Sequence, residues 1–129
     1  MAMGVRVREK DGKKAPTRYY SSKQEKAVAN ATSGQQTLNS GATPWQKGDV
    51  TTSGSESFLI ECKTKTSNAE SITVKKEWFT KNKEEAAFMG KPHTAVTISF
   101  GPDSPNYYII EEYLFVELLE YLKKNSQDS

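Results

Sequence analysis

Alternating apolar and polar positions are confined to a few short stretches of the chain, and these stretches predict its strands. Asp49-Val50-Thr51-Thr52 alternates around β-branched residues, and Ser57-Phe58-Leu59-Ile60-Glu61-Cys62-Lys63 is a second β-prone run. Ser53-Gly54-Ser55-Glu56 lies between them with turn chemistry, so the whole segment reads as a β-hairpin. Side chains alternate along a strand, which puts Phe58, Ile60 and Cys62 on one face and Leu59, Glu61 and Lys63 on the other. Closing the hairpin brings Asp49 beside Ile60 or Glu61. A further strand is expected over His93 to Phe100, with Ala95 and the β-branched run inward. Tyr107 to Ile110 reads as a last strand at an edge, and a short one is expected around Gln35 to Leu38.

Helical spacing marks three other segments. Ser22 to Thr32 predicts a short helix with Ala27, Val28 and Ala31 toward the core. Val74 to Met89 predicts a second, ended by Gly90 at a C′ position, with Val74, Trp78, Ala86 and Met89 on its inner face. Glu111 to Lys124 predicts a closing helix. There Leu114, Phe115, Leu118, Leu119, Tyr121 and Leu122 fill a stripe of roughly 160°, against about 100° for a single core-facing side. Tyr113 and Val116 extend beyond even that stripe. Either the helix is fully buried in its own domain, or part of the stripe meets a second copy; the expected assembly is a two-fold homodimer. The succession of helix, strands, hairpin, helix, strand, strand and helix predicts an α/β fold with a mixed central β-sheet flanked by helices.

Composition bounds this picture. A chain of 129 residues supports one domain with a modest core. Residues 1–17 form an expected flexible basic arm, 18–125 the single domain and 126–129 a polar tail. The formal charge of +2 is nearly neutral, but its distribution is uneven. Arg6, Arg8, Lys10, Lys13, Lys14, Arg18, Lys23 and Lys26 crowd residues 1–26, whereas Glu111, Glu112, Glu117 and Glu120 mark the closing helix. One cysteine excludes an internal disulfide and a Cys-rich zinc site. No apolar run approaches a membrane span and the N-terminus lacks a signal-peptide stretch, so a reducing, cytoplasmic setting without membrane contact is expected. His93 is the sole histidine, and without a second histidine or a nucleophile partner it is not assigned a catalytic role.

The hairpin carries the candidate chemistry. Glu61 and Lys63 interrupt an otherwise apolar strand, where charged residues are depleted unless paired. Asp49 and Glu61 offer hard oxygen ligands for Mg²⁺ or Mn²⁺, and Lys63 on the same face could orient water or neutralise charge on a phosphate. A solvated Glu-Lys pair would have the same sequence. Glu25 has a structural reading of its own: Ser22-Lys23-Gln24-Glu25 fits a capping box, in which it satisfies a helix-start N–H. Lys75 and Lys76 begin the second helix, where phosphate is favoured.

Gly48-Asp49, a hairpin's length and then Glu61-Cys62-Lys63 resembles the D…(D/E)-x-K signature of the PD-(D/E)XK nuclease superfamily. Ser40-Gly41-Ala42 through Lys47-Gly48-Asp49-Val50 is similar to the loop and strand of archaeal-type and phage Holliday-junction resolvases. The resemblance spans Ser21 to Gly101; Gln46-Lys47-Gly48 stands where many members carry Pro before the Asp. It implies an αβββαβ core and a Mg²⁺- or Mn²⁺-dependent endonuclease for branched DNA in a phage or its prokaryotic host. A related nuclease acting on nicked or mismatched duplex, or a DNA-binding relic of the fold, are the alternatives. By the resemblance Asp49, Glu61, Glu25 and the Cys62 carbonyl hold the metal, and Lys63 serves the attacking water. DNA contacts are then expected from Arg6, Arg8, Lys13, Lys14, Arg18, Ser40, Lys47, Lys65, Lys75 and Lys76.

Overall fold

The computed structural model describes residues 17–37 and 49–127 of the chain. The elements run α1 (Thr17–Thr32), β1 (Gln35–Gln36), β2 (Asp49–Thr51), β3 (Phe58–Thr64), α2 (Lys76–Met89), β4 (His93–Ser99), β5 (Asn106–Ile109) and α3 (Glu112–Gln127). The five strands form one mixed sheet in the order β1-β2-β3-β4-β5. The β3–β4 pair is parallel and the others antiparallel, because α2 carries the chain back across the sheet between β3 and β4. β5 is an edge strand, as its short Tyr-rich sequence predicts.

The hairpin forms over the predicted turn. Gly54 takes φ 101°, and the Phe58 N–H donates to Thr52 Oγ1 at 2.8 Å to close it. One face of the sheet carries Val50, Ile60, Cys62 and Ala95, which pack with Val28 of α1 as the main core. The other face carries Leu59 and Glu61 and is covered by α2.

Three readings of helix faces are corrected. α1 starts at Thr17, five residues before Ser22, and continues to Thr32. Val28 is buried as expected, but Ala27 and Ala31 are exposed; Gln24 and Glu25 take the inward positions. Gln24 earns its burial through its amide, which donates to the Lys63 carbonyl at 2.8 Å and to Asn106 Oδ1 at 3.2 Å. On α2, Val74 precedes the helix and is exposed, as is Met89. Trp78 and Ala86 face inward as expected, and Asn82 and Glu85 complete the stripe in place of Val74 and Met89, at spacing i, i+4, i+7 and i+8. Gly90 does end the helix in the left-handed region at φ 73°, and the Lys91 N–H then bonds the Ala86 carbonyl. α3 extends to Gln127, past the expected Lys124, and among its large apolar residues Leu114 is the one that is buried.

His93 opens β4 as a structural clasp. One ring nitrogen lies 2.7 Å from Glu56 in the hairpin turn and the other 3.1 Å from the Tyr113 hydroxyl on α3. Among the described residues no helix is long and apolar enough to cross a membrane.

Candidate active site

The register of the hairpin places Asp49 directly opposite Glu61, with Val50 opposite Ile60. Cross-strand partners share a face, so both carboxyls project toward α2. Asp49 is 3% exposed and its Oδ1 has no hydrogen-bond donor facing it. What face it are other carboxyls, those of Glu61 and Glu85. Burial first, then Glu61 and then Glu85, push the Asp49 pKa up from 3.8 to about 10.

Lys63 follows Glu61 by two residues and returns to the same face. Its Nζ lies 3.2 Å from Glu61 Oε2 and 5.1 Å from the centre of the Trp78 ring. The ammonium is therefore held by a carboxylate on one side and an aromatic face on the other. Glu61, Lys63, Lys75, Trp78, Lys81 and Glu85 line a groove of about 870 Å³ between the sheet and α2. Asn82 sits on its floor, 2% exposed, and donates to the carbonyl oxygens of Leu59 at 3.2 Å and Ala95 at 3.3 Å. Those two hydrogen bonds lock α2 over β3 and β4, and with it the height of Trp78 and Glu85 above the strand.

Glu25 is buried on α1, and its Oε1 accepts a hydrogen bond from Gln36 Nε2 at 3.2 Å. Because α1 begins at Thr17, Ser22 is interior to the helix and the capping-box role of Glu25 is overturned. The Cys62 side chain points into the core on the α1 side. Burial first, then the charges of Glu25, Asp49 and Glu61, push its thiol up, so it stays protonated at neutral pH.

The expected DNA contacts divide. Lys75 occupies the N-cap of α2 and lines the groove; Lys76 begins that helix, exposed, and is not part of the lining. Lys65 is exposed just past β3, and Arg18 falls in the first turn of α1. Arg6, Arg8, Lys13, Lys14, Ser40 and Lys47 lie outside the described residues, as does Trp45.

Glu85, Trp78 and Asn82 are the site residues that sequence reasoning missed. The available signal was polar: Asn82 and Glu85 recur at helical spacing with Trp78 and Ala86, on a stripe that an apolar count passes over. Among the described residues, no three or more His, Cys, Asp or Glu side chains are gathered into a set that could hold a metal as they stand. No protein-family model, curated protein or solved structure matches this chain.

Proposed function

We propose that the protein is a divalent-metal-dependent endonuclease that hydrolyses phosphodiester bonds in branched DNA, on a PD-(D/E)XK-type αβββαβ core. The observation that carries the reading is the β2–β3 register, which sets Asp49 opposite Glu61 with Lys63 on the same face. The order α1, β1 to β3, α2, β4 is in keeping with that core.

The donor set fits Mg²⁺ or Mn²⁺. Such ions take one or two carboxylates and leave the rest of the shell to water and phosphate. Here two carboxyls oppose each other beside a groove, and one has a buried oxygen that no donor meets. Asp49 and Glu61 would hold the cation, with Glu25 and the Cys62 carbonyl as further candidates. When bound, it supplies positive charge that acidifies water and offsets charge building on the phosphate. Lys63, steadied by Glu61 and Trp78, orients the attacking water and donates to the phosphate oxygens as their charge grows. Lys75 at the start of α2 holds a neighbouring phosphate.

A cleavage assay across linear, nicked, flapped and four-way DNA tests the reading, with Mg²⁺, Mn²⁺ or EDTA present. Branched DNA should be cut fastest, and EDTA should stop the reaction. Glu61→Gln and Lys63→Ala should each lower the rate at least about 100-fold while DNA binding persists. Full-rate cutting by Glu61→Gln would remove the proposed centre. Equal rates on linear and four-way DNA would leave a nuclease of broader range, and binding without cutting would leave a DNA-binding domain.

A further inference from the structure

The parallel strands β3 and β4 end side by side, at Thr64 and Ser99, and a pocket of about 110 Å³ opens there on the α1 face of the sheet. Tyr20, Lys23 and Gln24 of α1 form one wall, and Thr64, Ser104 and Asn106 belong to the other. Hydrogen bonds fix which atoms a ligand would meet. The Lys63 carbonyl can only accept, so the Gln24 group that lies 2.8 Å from it is the amide nitrogen. The same Nε2 donates to Asn106 Oδ1 at 3.2 Å. Asn106 is thereby held with its oxygen toward Gln24, and its Nδ2 donors are the end left for a ligand. Gln24 itself is 6% exposed, so this anchor is buried.

The turn between β4 and β5, which carries Ser104, is pinned in place. The Ser104 N–H bonds the Gly101 carbonyl at 3.1 Å. Asn68 Nδ2 donates to Asp103 Oδ2 at 3.2 Å, and the Asp103 N–H donates back to Asn68 Oδ1 at 3.3 Å. A Cβ at Gly101 would fall on the backbone of Asn68, so the turn can lie this close only with glycine there. The pocket wall is therefore built before any ligand arrives.

Charge selects the occupant. No acidic side chain lines the pocket, and among the described residues no carboxylate pairs with Lys23. Asp103 is taken by Asn68 and stands outside the lining, and Glu25, next to Gln24, turns toward Gln36. Gln24 Oε1 is buried out of solvent reach, so it does not touch an anion in the pocket. An ammonium, amide N–H donors and the Tyr20 and Ser104 hydroxyls remain, a donor set suited to an oxyanion. Size agrees, since the pocket lies below the ~300 Å³ at which sites for drug-sized ligands begin. Side chains alternate along β3, so Lys63 enters the Asp49–Glu61 groove while Thr64 lines this pocket. The two sites lie back to back at one end of a strand. A nucleic-acid strand can bend round that sheet end at a branch point, whereas a short stretch of unbroken duplex is stiff.

We propose that this pocket holds a backbone phosphate from a second arm of the branched DNA, with Lys23 and Asn106 as its principal donors. The choice of DNA rests on the nuclease reading; the choice of an oxyanion rests on the pocket alone.

Side-chain amide NMR of the full chain and fluorescence anisotropy test this, with four-way DNA, linear duplex and inorganic phosphate as probes. Four-way DNA should shift the Asn106 amide signal, and millimolar phosphate should move it the same way. Lys23→Ala should weaken four-way binding about tenfold and flatten its salt slope by about 0.9, with linear duplex affected less than about twofold. Lys26→Ala, exposed on the same helix but outside the lining, should change four-way binding less than about twofold. Asn106→Asp keeps an acceptor for Gln24 and puts negative charge in the pocket, so it should weaken four-way binding at least as much as Lys23→Ala. Should Asn106→Asp disturb the fold by circular dichroism, the exposed Lys23 still carries the test. An Asn106 signal that neither phosphate nor DNA moves would overturn the site. A shift with phosphate alone, or equal losses from Lys23→Ala and Lys26→Ala, would overturn its assignment to DNA. Four-way DNA bound through Lys23 and Asn106 but never cut would sink the nuclease reading and leave this one standing.

Discussion

Asp49 faces Glu61 directly across the β2–β3 hairpin, and Glu85 on α2 lies close enough to Asp49 to act on its charge. Such a group folds easily when protonated and at a cost when charged. Its pKa rises from 3.8 to about 10, through burial first and the two carboxyls next. A folded-state value above the unfolded one contributes stability that is complete below about pH 4 and is lost as the pH climbs toward 10. The metal-free protein should therefore melt lower at pH 8.5 than at pH 6. Asp49→Asn cannot ionise, and should raise the pH 8.5 melting temperature by several degrees, for a gain of roughly 1–2 kcal/mol. Thermal scans of both proteins at the two pH values check this. A variant that melts no higher than the parent at pH 8.5 would contradict it.

Cation binding should reverse that cost. An ion held by Asp49 and Glu61 binds the folded chain alone, so Mn²⁺ at 100 times its dissociation constant should add about 2.7 kcal/mol of stability. EDTA should remove the increment. In Asp49→Asn and Glu61→Gln the increment should be small from the outset, which differential scanning calorimetry would reveal. An undiminished increment in both variants would move the metal elsewhere.

The strands were legible in the sequence because two-residue alternation and turn chemistry are local. Asp49, Glu61 and Lys63 could thus be placed together, the register alone deciding between Ile60 and Glu61. The helices were less legible for the opposite reason. Gln24 and Asn82 are polar yet buried, the amide nitrogen of each donating to carbonyl oxygens on strands distant in sequence, so hydrophobicity could not reveal their orientation. Glu85 was hidden likewise, since its neighbour Asp49 lies 36 positions away on a different element. A helix that began at Ser22 would give Glu25 a capping role; the turn before it, from Thr17, removes that role.

Trp78 should matter through Lys63. The ammonium 5.1 Å above its ring gains roughly 0.5–2 kcal/mol from that face, depending on how dry the site is. Trp78→Ala should slow cleavage about tenfold with DNA affinity little changed, and Trp78→Phe should recover most of the rate. Single-turnover rates at saturating protein separate the two effects. A rate unchanged by Trp78→Ala would show that Glu61 alone positions the lysine.

Asn82 should matter through the fold. Replacing it with Ala removes both donors to the Leu59 and Ala95 carbonyls and leaves a void beneath α2. A loss of about 1–3 kcal/mol is expected in urea unfolding, since buried acceptors lose their partner. A change under about 0.5 kcal/mol would mean that water replaces the amide there.

Lys75 and Lys76 are adjacent in sequence but not in setting, and salt can tell them apart. Lys75 occupies the N-cap position of α2 and lines the groove, whereas Lys76 is exposed and outside the lining. Each phosphate neutralised on duplex DNA adds about 0.9 to the slope of log affinity against log salt. Lys75→Ala should flatten that slope by about one contact, and Lys76→Ala by clearly less. Neutralising Arg6, Arg8, Lys13 and Lys14 together should flatten it further if the arm straps the backbone. Fluorescence anisotropy on four-way DNA across a salt series gives all three slopes. Equal losses from the two α2 lysines would show that DNA approaches the outer face of the helix, away from Asp49 and Glu61, and would take the groove out of the substrate path.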